Sequence, residues 1–314
     1  MPLDARAQLD RRLMWAAARC WMESENFKHL RGGRRRRYHW DAFARGLRLF
    51  GFGLKLCGLY QRGVRNALDV RLNRFSLHFR DLPSAFDGYT LLHLSDLHFD
   101  ALPGLDRAVA ELLRNLDGVD LCVLTGDYRA ALHGEYRQVL PALRRVVEAV
   151  ASRDGFVATL GNHDTVLMVD EIERMGIRVL ANETLRLERD GQWLHLTGVD
   201  DVHYYYTDMA LDALRRADRG FRIALVHSPE LYDLAAQAGY ALYLAGHTHG
   251  GQVALPGGRP IVRHLQRGRH LAAGLWRHQG MVGYTTSGIG VSGLPVRFNT
   301  RGEVAMITLR KGEG

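Results

Sequence analysis

The chain has 314 residues and an apolar fraction of 46%, which excludes collagen-like, low-complexity and wholly disordered proteins. Its formal net charge of +8 is unevenly distributed, because residues 1–66 carry 15 basic and 5 acidic side chains while residues 67–314 carry 27 basic and 29 acidic ones. The sequence therefore divides into a basic N-terminal arm, residues 1–66, and a mildly acidic domain, residues 67–314. The three cysteines are widely spaced and predict a reducing compartment without a disulfide framework.

The arm begins with a predicted helix over residues 5–22. Arg12 and Arg19 lie on one side of it, and apolar side chains recur at helical spacing on another. The apolar side comprises Leu9, Leu13, Ala16 and Cys20. The aromatic side chains that we expect to be exposed on the arm are Trp15, Trp21, Phe27, Tyr38 and Trp40. Together with the arginines at 34–37, they favour contact between the arm and a membrane.

A second predicted helix, residues 43–60, is amphipathic but too highly charged to cross a bilayer. Arg45, Arg48 and Lys55 interrupt it, and each would cost about 2.5–3.5 kcal/mol near the bilayer centre. A basic face opposite an apolar face is typical of a helix in the membrane interface, next to anionic headgroups. Docking of this helix on the protein's own core is the alternative. An export signal at the arginine run is disfavoured, because the apolar stretch starts late and is positively charged.

After residue 67 the sequence alternates short apolar runs, typical of buried strands, with helical stretches. A strand is predicted over residues 70–79, and helices over residues 105–116, 136–151, 169–175 and 209–217. Five further apolar runs each end in polar side chains that can bind a metal. These runs are residues 89–94, 121–124, 156–160, 223–226 and 241–245. The alternation predicts an α/β sheet, whose carboxyl strand ends collect ligands.

Seven oxygen or nitrogen ligands follow these five runs. They are Asp96, His98, Asp127, Asn162, His227, His247 and His249. A single histidine or aspartate at a strand end is usually a hydrogen-bonded or turn residue, but the coincidence at five strand ends favours a metal centre. Imidazole, carboxylate and amide ligands without cysteine suit Mn²⁺, Fe²⁺, Zn²⁺ or Ni²⁺. Seven ligands exceed what one ion needs, so we expect two ions that share a bridging carboxylate.

The polar blocks at 95–98, 126–127, 161–164, 227 and 246–249 resemble, in order and separation, the signature of the calcineurin-like metallophosphoesterases. The resemblance covers residues 70–310 and implies an α/β fold, the four-layer α/β/β/α sandwich of that family, here preceded by the N-terminal helical arm. It implies that one divalent ion, with Mn²⁺ expected first, is held by Asp96, His98 and His249. The second is then held by Asn162, His227 and His247, and Asp127 bridges the two.

The resemblance also assigns roles to two residues that are not ligands. His163 would face the substrate and protonate the leaving oxygen, or stabilise charge on the phosphoryl group. Asp164 is a candidate partner that orients the His163 imidazole, and a helix cap or turn role is the equal alternative. One departure from the family pattern is Arg301-Gly302-Glu303, where we expect a proline before the glutamate. It affects the expectation for the C-terminal strand and not for the metal site.

Further blocks at 196–201, 227–230 and 288–293 resemble a bacterial branch of membrane-associated phosphodiesterases that includes hydrolases of UDP-2,3-diacylglucosamine in lipid A synthesis. This resemblance implies a peripheral enzyme at the cytoplasmic face of the inner membrane. We expect it to cleave a phosphodiester or pyrophosphate bond, and UDP-2,3-diacylglucosamine is the first candidate substrate, with 2,3-diacylglucosamine 1-phosphate and UMP as products. The expected partners are an anionic membrane surface and a phosphorylated lipid or nucleotide-sugar substrate.

Three alternatives to this function remain open. The enzyme could be a general phosphodiesterase that acts on another lipid or nucleotide. A binding scaffold without catalysis would lack ligands or His163, and the sequence retains all of them. Nucleic-acid binding by the arm predicts strong salt dependence. Arginine is well suited to phosphate, but nearly all basic residues of this chain are arginine, an excess that coding bias can produce, so the run at 34–37 is weaker evidence for phosphate recognition than it looks.

Overall fold

The computed structural model of the protein describes residues 5–37, 40–216 and 219–313. Its helices are α1 (Ala5–Ser24), α2 (Trp40–Leu56), α3 (Tyr60–Leu68), α4 (Leu105–Arg114), α5 (Leu140–Val147), α6 (Val169–Glu173), α7 (Asp208–Arg216) and α8 (Tyr232–Gln237). Its strands are β1 (Phe27–Leu30), β2 (Arg34–Arg37), β3 (Arg71–Phe79), β4 (Thr90–Leu94), β5 (Leu121–Thr125), β6 (Phe156–Thr159), β7 (Ile177–Val179), β8 (Glu183–Arg189), β9 (Gln192–Gly198), β10 (Phe221–Leu225), β11 (Leu242–Ala245), β12 (Ala254–Leu255), β13 (Arg259–Pro260), β14 (Gly274–His278), β15 (Met281–Thr285) and β16 (Glu303–Lys311).

Two six-stranded sheets form the centre of the domain. The first has the order β3-β16-β4-β5-β6-β7, in which β4 to β7 are parallel. The second has the order β14-β15-β11-β10-β9-β8, in which β15, β11, β10 and β9 are parallel. The five predicted strands that precede the polar blocks are β4, β5, β6, β10 and β11. Their parallel carboxyl ends carry the polar blocks to the edges of the two sheets where ligands are expected.

The two sheets pack face to face, and helices cover both outer faces. Leu91, Val123 and Ile223 belong to the buried apolar layer between the sheets. Val109 of α4 packs in the core beneath the first sheet, and Leu214 of α7 packs beneath the second. Complete burial of one such side chain stabilises the fold by about 1.5–3 kcal/mol. The predicted four-layer α/β/β/α sandwich is confirmed.

The predicted helices of the domain form with shifted ends. The stretch predicted as one helix over residues 136–151 is a 3-10 turn, Arg137–Val139, followed by α5, and Pro141 lies in the first turn of α5. Proline fits there because the first turn of a helix needs no N–H from that position. The helix predicted over residues 209–217 is α7, and residue 217 lies outside the described residues.

The helix α1 packs on the domain through the face opposite to the apolar one. Leu9 and Leu13 are 57% and 60% exposed, whereas Trp15 and Arg19 are buried. The indole Nε1 of Trp15 donates a hydrogen bond to Asp200 over 2.7 Å. The predicted exposure of Trp15 is therefore wrong, because a carboxylate in the domain offers a buried partner to the polar side of the helix. Among the other aromatic residues of the arm, Trp21 is exposed and Phe27 is half-buried, while Tyr38 and the side chain of Trp40 lie outside what the structure describes.

The arginine run at 34–37 forms a strand. Strand β2 pairs antiparallel with β1 in a two-stranded hairpin. The hairpin is attached to the domain through His29, whose N–H donates to the Tyr204 carbonyl over 2.8 Å. The His29 carbonyl accepts from the Tyr206 N–H over 3.1 Å. These two bonds fix the position of β1 relative to the loop after β9.

The second amphipathic stretch forms two helices in place of the single one predicted over residues 43–60. Helix α2 contacts the domain at Gly51, where a β-carbon would collide with the Leu294 side chain. Its exposed side combines apolar and basic side chains and is not divided into the two opposite faces predicted: Leu49, Phe52 and Leu56 are exposed by 73%, 60% and 73%, and Arg48 and Lys55 are exposed beside them. Within the described residues, none of the helices combines the length and the apolar character that a bilayer crossing requires.

Helix α3 lies at the end of the arm, and β16 is the C-terminal strand of the domain. Helix α3 continues across residue 66, and Ala67 is completely buried. Strand β16 begins at Glu303 without the expected proline. The Glu303 carboxylate accepts hydrogen bonds from the Tyr284 and Thr286 hydroxyls and from the Ser287 N–H, at 2.8–2.9 Å. These three bonds fix the start of the strand in place of a proline.

Candidate metal centre

The structure brings the predicted ligands together in two groups. The first group contains Asp96, His98 and His249, and the second contains Asp127, His227 and His247. In each group the ligand atoms lie within 4.8 Å of one another, and all six side chains are buried. The residues come from the ends of four strands in two sheets, so only the complete sandwich assembles either group.

Asn162 joins the second group through its side-chain oxygen. The Asn162 Oδ1 atom lies 3.1 Å from Nε2 of His227. Asp127 lies between the groups, because its Oδ2 atom is 3.3 Å from Nε2 of His227 and 3.5 Å from Nε2 of His98. This carboxylate is therefore within reach of both groups, as a bridging ligand requires.

Backbone carbonyls fix the orientation of three of the four histidine ligands. The Nδ1 atoms of His98 and His227 lie 2.7 Å from the carbonyls of Arg129 and Thr125. The Nε2 atom of His247 lies 2.9 Å from the His264 carbonyl. A ring nitrogen that donates to a carbonyl leaves the other nitrogen as the metal-facing acceptor, so these bonds select the tautomer of each ring.

Within each group, inward-facing ring nitrogens lie close to one another. Nε2 of His98 lies 3.2 Å from Nε2 of His249, and Nδ1 of His247 lies 3.2 Å from Nε2 of His227. Carbonyls orient the rings of His98, His227 and His247, so in the tautomers that these bonds select the inward nitrogen of each ring is an acceptor that can bind a cation. The donor set of four imidazoles, two carboxylates and an amide thus fits divalent ions of the Mn²⁺, Fe²⁺, Zn²⁺ or Ni²⁺ type.

The electrostatics of the residues lead to the same conclusion. Burial raises the pKa of Asp96 to about 6, because the ionised carboxylate loses its hydration. Burial acts in the opposite sense on His227, but the charge and hydrogen bond of Asp127 raise the pKa of that imidazole to about 10. Without a metal ion, a proton on His227 compensates part of the buried negative charge, and bound cations would replace it.

The backbone of the centre is strained where the ligands are attached. Five non-glycine ligands have a positive φ, which side chains with a β-carbon rarely adopt. They are Asp96 (52°), His98 (41°), Asp127 (59°), His247 (73°) and His249 (53°). Each such residue costs about 1–3 kcal/mol, so the surrounding structure must hold it in place. Backbone bonds do so at Asp96 and His98, whose N–H groups donate to the carbonyls of Gly126 and Asp127.

Two glycines in the polar blocks leave room for the carboxylates. A β-carbon at Gly161 would collide with the Asp127 carboxylate, and one at Gly246 would collide with the Asp96 carboxylate. Neither glycine has a positive φ, so the requirement at these positions is close approach and not backbone freedom. This gives a physical reason for the glycine in front of Asn162 and in front of His247.

His163 lies at the edge of the centre, where the structure places it beside both groups. Its Nδ1 atom is 2.6 Å from the Ala130 carbonyl, and its Nε2 atom is 3.9 Å from Oδ2 of Asp127. The ring meets the His98 ring edge to face at 4.9 Å. Its side chain is 12% exposed, more than that of the ligands His98 and His227. The imidazole can therefore reach a group bound at the metal centre.

The predicted orientation of His163 by Asp164 is wrong. The Asp164 carboxylate accepts hydrogen bonds from three backbone N–H groups, those of Asp127, Tyr128 and Gly161, at 2.7–2.8 Å. The partner that orients His163 is the Ala130 carbonyl. Asp164 is therefore a turn residue that holds two ligand loops together. Its negative charge accepts hydrogen bonds from the backbone N–H groups of these loops and not from the His163 imidazole.

Three buried arginines support the ligand loops, and the sequence gives no pattern that identifies them. Arg19 of α1 donates to the carbonyls of Gly161 and Asp164, both at 2.9 Å, on either side of Asn162 and His163. Arg129 donates to the His163 carbonyl over 2.6 Å.

Arg297 supports the other side of the centre. It donates to the carbonyls of His249 and Gly290 over 3.1 and 2.6 Å. Burial lowers the pKa of Arg297 to about 10, which leaves the guanidinium charged at neutral pH. Sequence patterns cannot identify a single buried arginine of this kind, because its partners are backbone carbonyls, which every residue type has.

Comparison with known proteins shows similarity along most of the chain. A family profile described as calcineurin-like phosphoesterase matches residues 89–251. The uncharacterized metallophosphoesterases YkuE and YkoQ of Bacillus subtilis are 30% and 28% identical over 73% and 76% of this chain, and over 82% and 90% of their own lengths. The phosphodiesterase YaeI of Escherichia coli is 26% identical over 70% of this chain and 82% of its own length.

Proposed function

The chain belongs to the calcineurin-like phosphoesterase family, and on this premise we propose that it uses two divalent ions to hydrolyse a phosphodiester or pyrophosphate bond of a membrane-borne substrate. The observation that carries the proposal is the position of Asp127 between two groups of buried ligands. Such a pair of ions activates water and neutralises charge on the phosphoryl group when bound. Mn²⁺ is the ion that we propose first.

The residues of the centre have different proposed roles, which are metal binding and proton donation. Asp96, His98 and His249 would hold one ion, Asn162, His227 and His247 would hold the other, and Asp127 would be shared by both. His163 protonates the leaving oxygen from its imidazolium form: Nδ1–H donates to the Ala130 carbonyl, and the Nε2 proton passes to the oxygen as the P–O bond breaks, which leaves a neutral imidazole. Burial of the ligands excludes bulk water from the site, and this strengthens the electrostatic interaction between the site and the reacting phosphoryl group.

Helix α2 supports a substrate in or on a membrane. Leu49, Phe52 and Leu56 are exposed on this helix together with the basic Arg48 and Lys55. An exposed apolar side with neighbouring cations is the combination that binds anionic lipid surfaces. We therefore propose a peripheral location at the cytoplasmic face of the inner membrane.

We name UDP-2,3-diacylglucosamine as the first candidate substrate, with 2,3-diacylglucosamine 1-phosphate and UMP as products. Support comes from the resemblance of the blocks at 196–201, 227–230 and 288–293 and from the exposed apolar side of α2. A general phosphodiesterase activity on another lipid or nucleotide is the second candidate, and the name of the similar Escherichia coli protein favours it.

The decisive experiment assays the purified full chain with Mn²⁺ on UDP-2,3-diacylglucosamine in mixed micelles and on bis(p-nitrophenyl) phosphate. We expect turnover of both by the wild type and loss of both in Asp127→Ala. Turnover of only the generic diester would overturn the lipid substrate. Full activity of Asp127→Ala would overturn the two-ion centre.

The membrane contact has its own test. Sedimentation with vesicles that contain anionic phosphatidylglycerol is expected to fall when Leu49, Phe52 and Leu56 are changed to serine. The matched control changes Leu167 and Leu275, which are exposed leucines outside the arm, to serine. Equal binding of the two variants would contradict the assignment of α2 as the lipid-contacting helix.

A further inference from the structure

The hairpin of the arm carries one of the three lysines of the chain to the metal centre. Lys28 lies on β1, the strand that His29 joins to the backbone of Tyr204 and Tyr206. The Lys28 ammonium is 3.9 Å from the centre of the Tyr204 ring and 2.9 Å from Nε2 of His203. The arm thus fixes the position of this cation through both its backbone and its side chain.

Lys28 is the outer member of a connected set of polar residues. Nδ1 of His203 lies 2.9 Å from Oε2 of Glu230, so the ring donates to this carboxylate and its Nε2 accepts from the Lys28 ammonium. Oε1 of Glu230 accepts from the backbone N–H groups of Gln266 and Arg267. Glu230 is therefore satisfied by His203 and the backbone, and its hydrogen bonds do not require the lysine.

The same set is in contact with the second ligand group. The His203 ring packs against the ring of the ligand His247 with 4.3 Å between centroids. His247 in turn bonds to the His264 carbonyl, two residues before Gln266. The His203 ring thus lies between the Lys28 ammonium and the predicted metal ligand His247.

The lysine is half-buried and remains a cation at neutral pH. Burial lowers the pKa of Lys28 to about 8, against the attraction of the carboxylates of Asp201 and Glu230, and Arg36 adds to the lowering. A partly desolvated ammonium attracts an anion more strongly than a surface lysine does, because fewer waters compete for it.

We propose that, when the substrate is a pyrophosphate diester, Lys28 binds the phosphate group that is not attacked. Lys28 would thereby determine a preference for pyrophosphate diesters over simple phosphodiesters. The inference rests on the proposed function, since it assumes that one phosphoryl group lies at the two ions. In a pyrophosphate diester the second phosphate is directly attached and carries its own negative charge. A lysine binds such a group as a point charge, without the bidentate geometry that arginine needs.

The test compares two substrates that differ in charge. Kinetic constants are measured for the full chain with Mn²⁺ on UDP-2,3-diacylglucosamine and on bis(p-nitrophenyl) phosphate, which has a single negative charge. For Lys28→Met we expect kcat/KM on the pyrophosphate to fall about 10- to 100-fold, mainly through KM, and that on the diester to change less than about 3-fold. Lys28→Arg, which keeps the charge, should retain most of the preference. Lys311→Met, at an exposed position of β16 away from the arm and the metal centre, is the matched control.

The outcomes separate the two proposals. A wild type that hydrolyses neither substrate overturns the proposed function. A wild type that hydrolyses both, together with equal losses on both substrates in Lys28→Met, overturns the role of Lys28 and leaves the function intact. If Lys28→Met does not fold, Lys28→Arg and Lys28→Gln decide: an unchanged ratio of the two kcat/KM values in Lys28→Gln overturns the inference.

Discussion

The guanidinium of Arg19 lies 2.6 Å from the carboxylate of Asp200, and both side chains are buried. Burial opposes the charge of Arg19, but the carboxylates of Asp200 and Glu23 more than compensate and raise its pKa above the usual value. The same guanidinium donates to the carbonyls of Gly161 and Asp164. One ion pair therefore connects the first helix of the chain with the loop that carries a metal ligand and His163.

Removal of the arginine should be costly. We expect Arg19→Met to lower the free energy of unfolding by about 3–5 kcal/mol, because Asp200 becomes an unpaired buried charge. Urea unfolding measures this loss. The exposed Arg6→Met on the same helix should change stability by less than about 0.5 kcal/mol. The double variant with Asp200→Asn should recover part of the loss, and a purely additive double variant would contradict the pairing.

The shared carboxylate should control the binding of both ions. We expect Asp127→Ala to reduce the metal content of purified protein by more than one ion per chain, and activity by at least about 1,000-fold. Elemental analysis and the diester assay measure the two quantities. Asp87→Ala, a change at a turn outside the centre, is the control. Retention of two ions in Asp127→Ala would contradict a bridging position.

His163 and its sequence neighbour Asp164 should behave differently when replaced. We expect His163→Ala to lower kcat by about 100- to 10,000-fold while metal content stays near that of the wild type, since this imidazole acts as an acid and not as a ligand. Asp164→Ala should lower the free energy of unfolding by about 3 kcal/mol or more, because three backbone N–H groups lose a charged acceptor. Equal stability of the two variants would contradict the structural role of Asp164.

Glu230 should make the stability depend on pH in the acid range. Burial opposes its ionisation, but the adjacent His203 imidazole, which donates a hydrogen bond to it, and the N–H groups of Gln266 and Arg267 hold its pKa below its usual value. A carboxyl group with a lowered folded pKa stabilises the fold above its unfolded pKa, and this contribution is lost as the pH falls through the folded value. We expect metal-free Glu230→Gln to be less stable than the wild type at neutral pH.

The difference between Glu230→Gln and the wild type should shrink as the pH falls below about 4.5. Urea unfolding in the presence of a chelator, repeated along a pH series, measures it. Glu148→Gln, at an exposed position on the surface of the domain, serves as the control. A difference that does not change with pH would show that the hydrogen bonds of Glu230, and not its charge, stabilise the loop.

The metal ligands could be found in the sequence because each follows an apolar run that forms a buried parallel strand. Asp96 follows β4, and His227 follows β10, so strand prediction alone placed these side chains at a sheet edge. The positive φ values of Asp96 and His247 could not be predicted, because hydrogen bonds to residues distant in the sequence hold the backbone there.

The exposure of Trp15 on α1 was predicted incorrectly for a related reason. Helical periodicity assumes that the apolar side faces the core, and Leu9 and Leu13 are apolar. The structure buries Trp15 and Arg19 because Asp200, more than 180 residues away in the sequence, supplies a buried acceptor to both. A single sequence does not reveal a partner at that separation. The role of Asp164 could not be predicted either, although its partners are closer in the sequence. They are backbone N–H groups, which residue types do not reveal.

The docking of the arm redistributes its positive charge. Arg12 pairs with Glu173 and Arg31 with Asp233, so that, with Arg19 at Asp200, three of its cations are neutralised by acidic side chains of the domain. An anionic surface would therefore meet a smaller effective valence than the composition of residues 1–66 suggests. The salt dependence of any such attraction should reflect the arginines of β2 and the cations of α2, while the inward-facing cations remain screened from the solution by the protein itself.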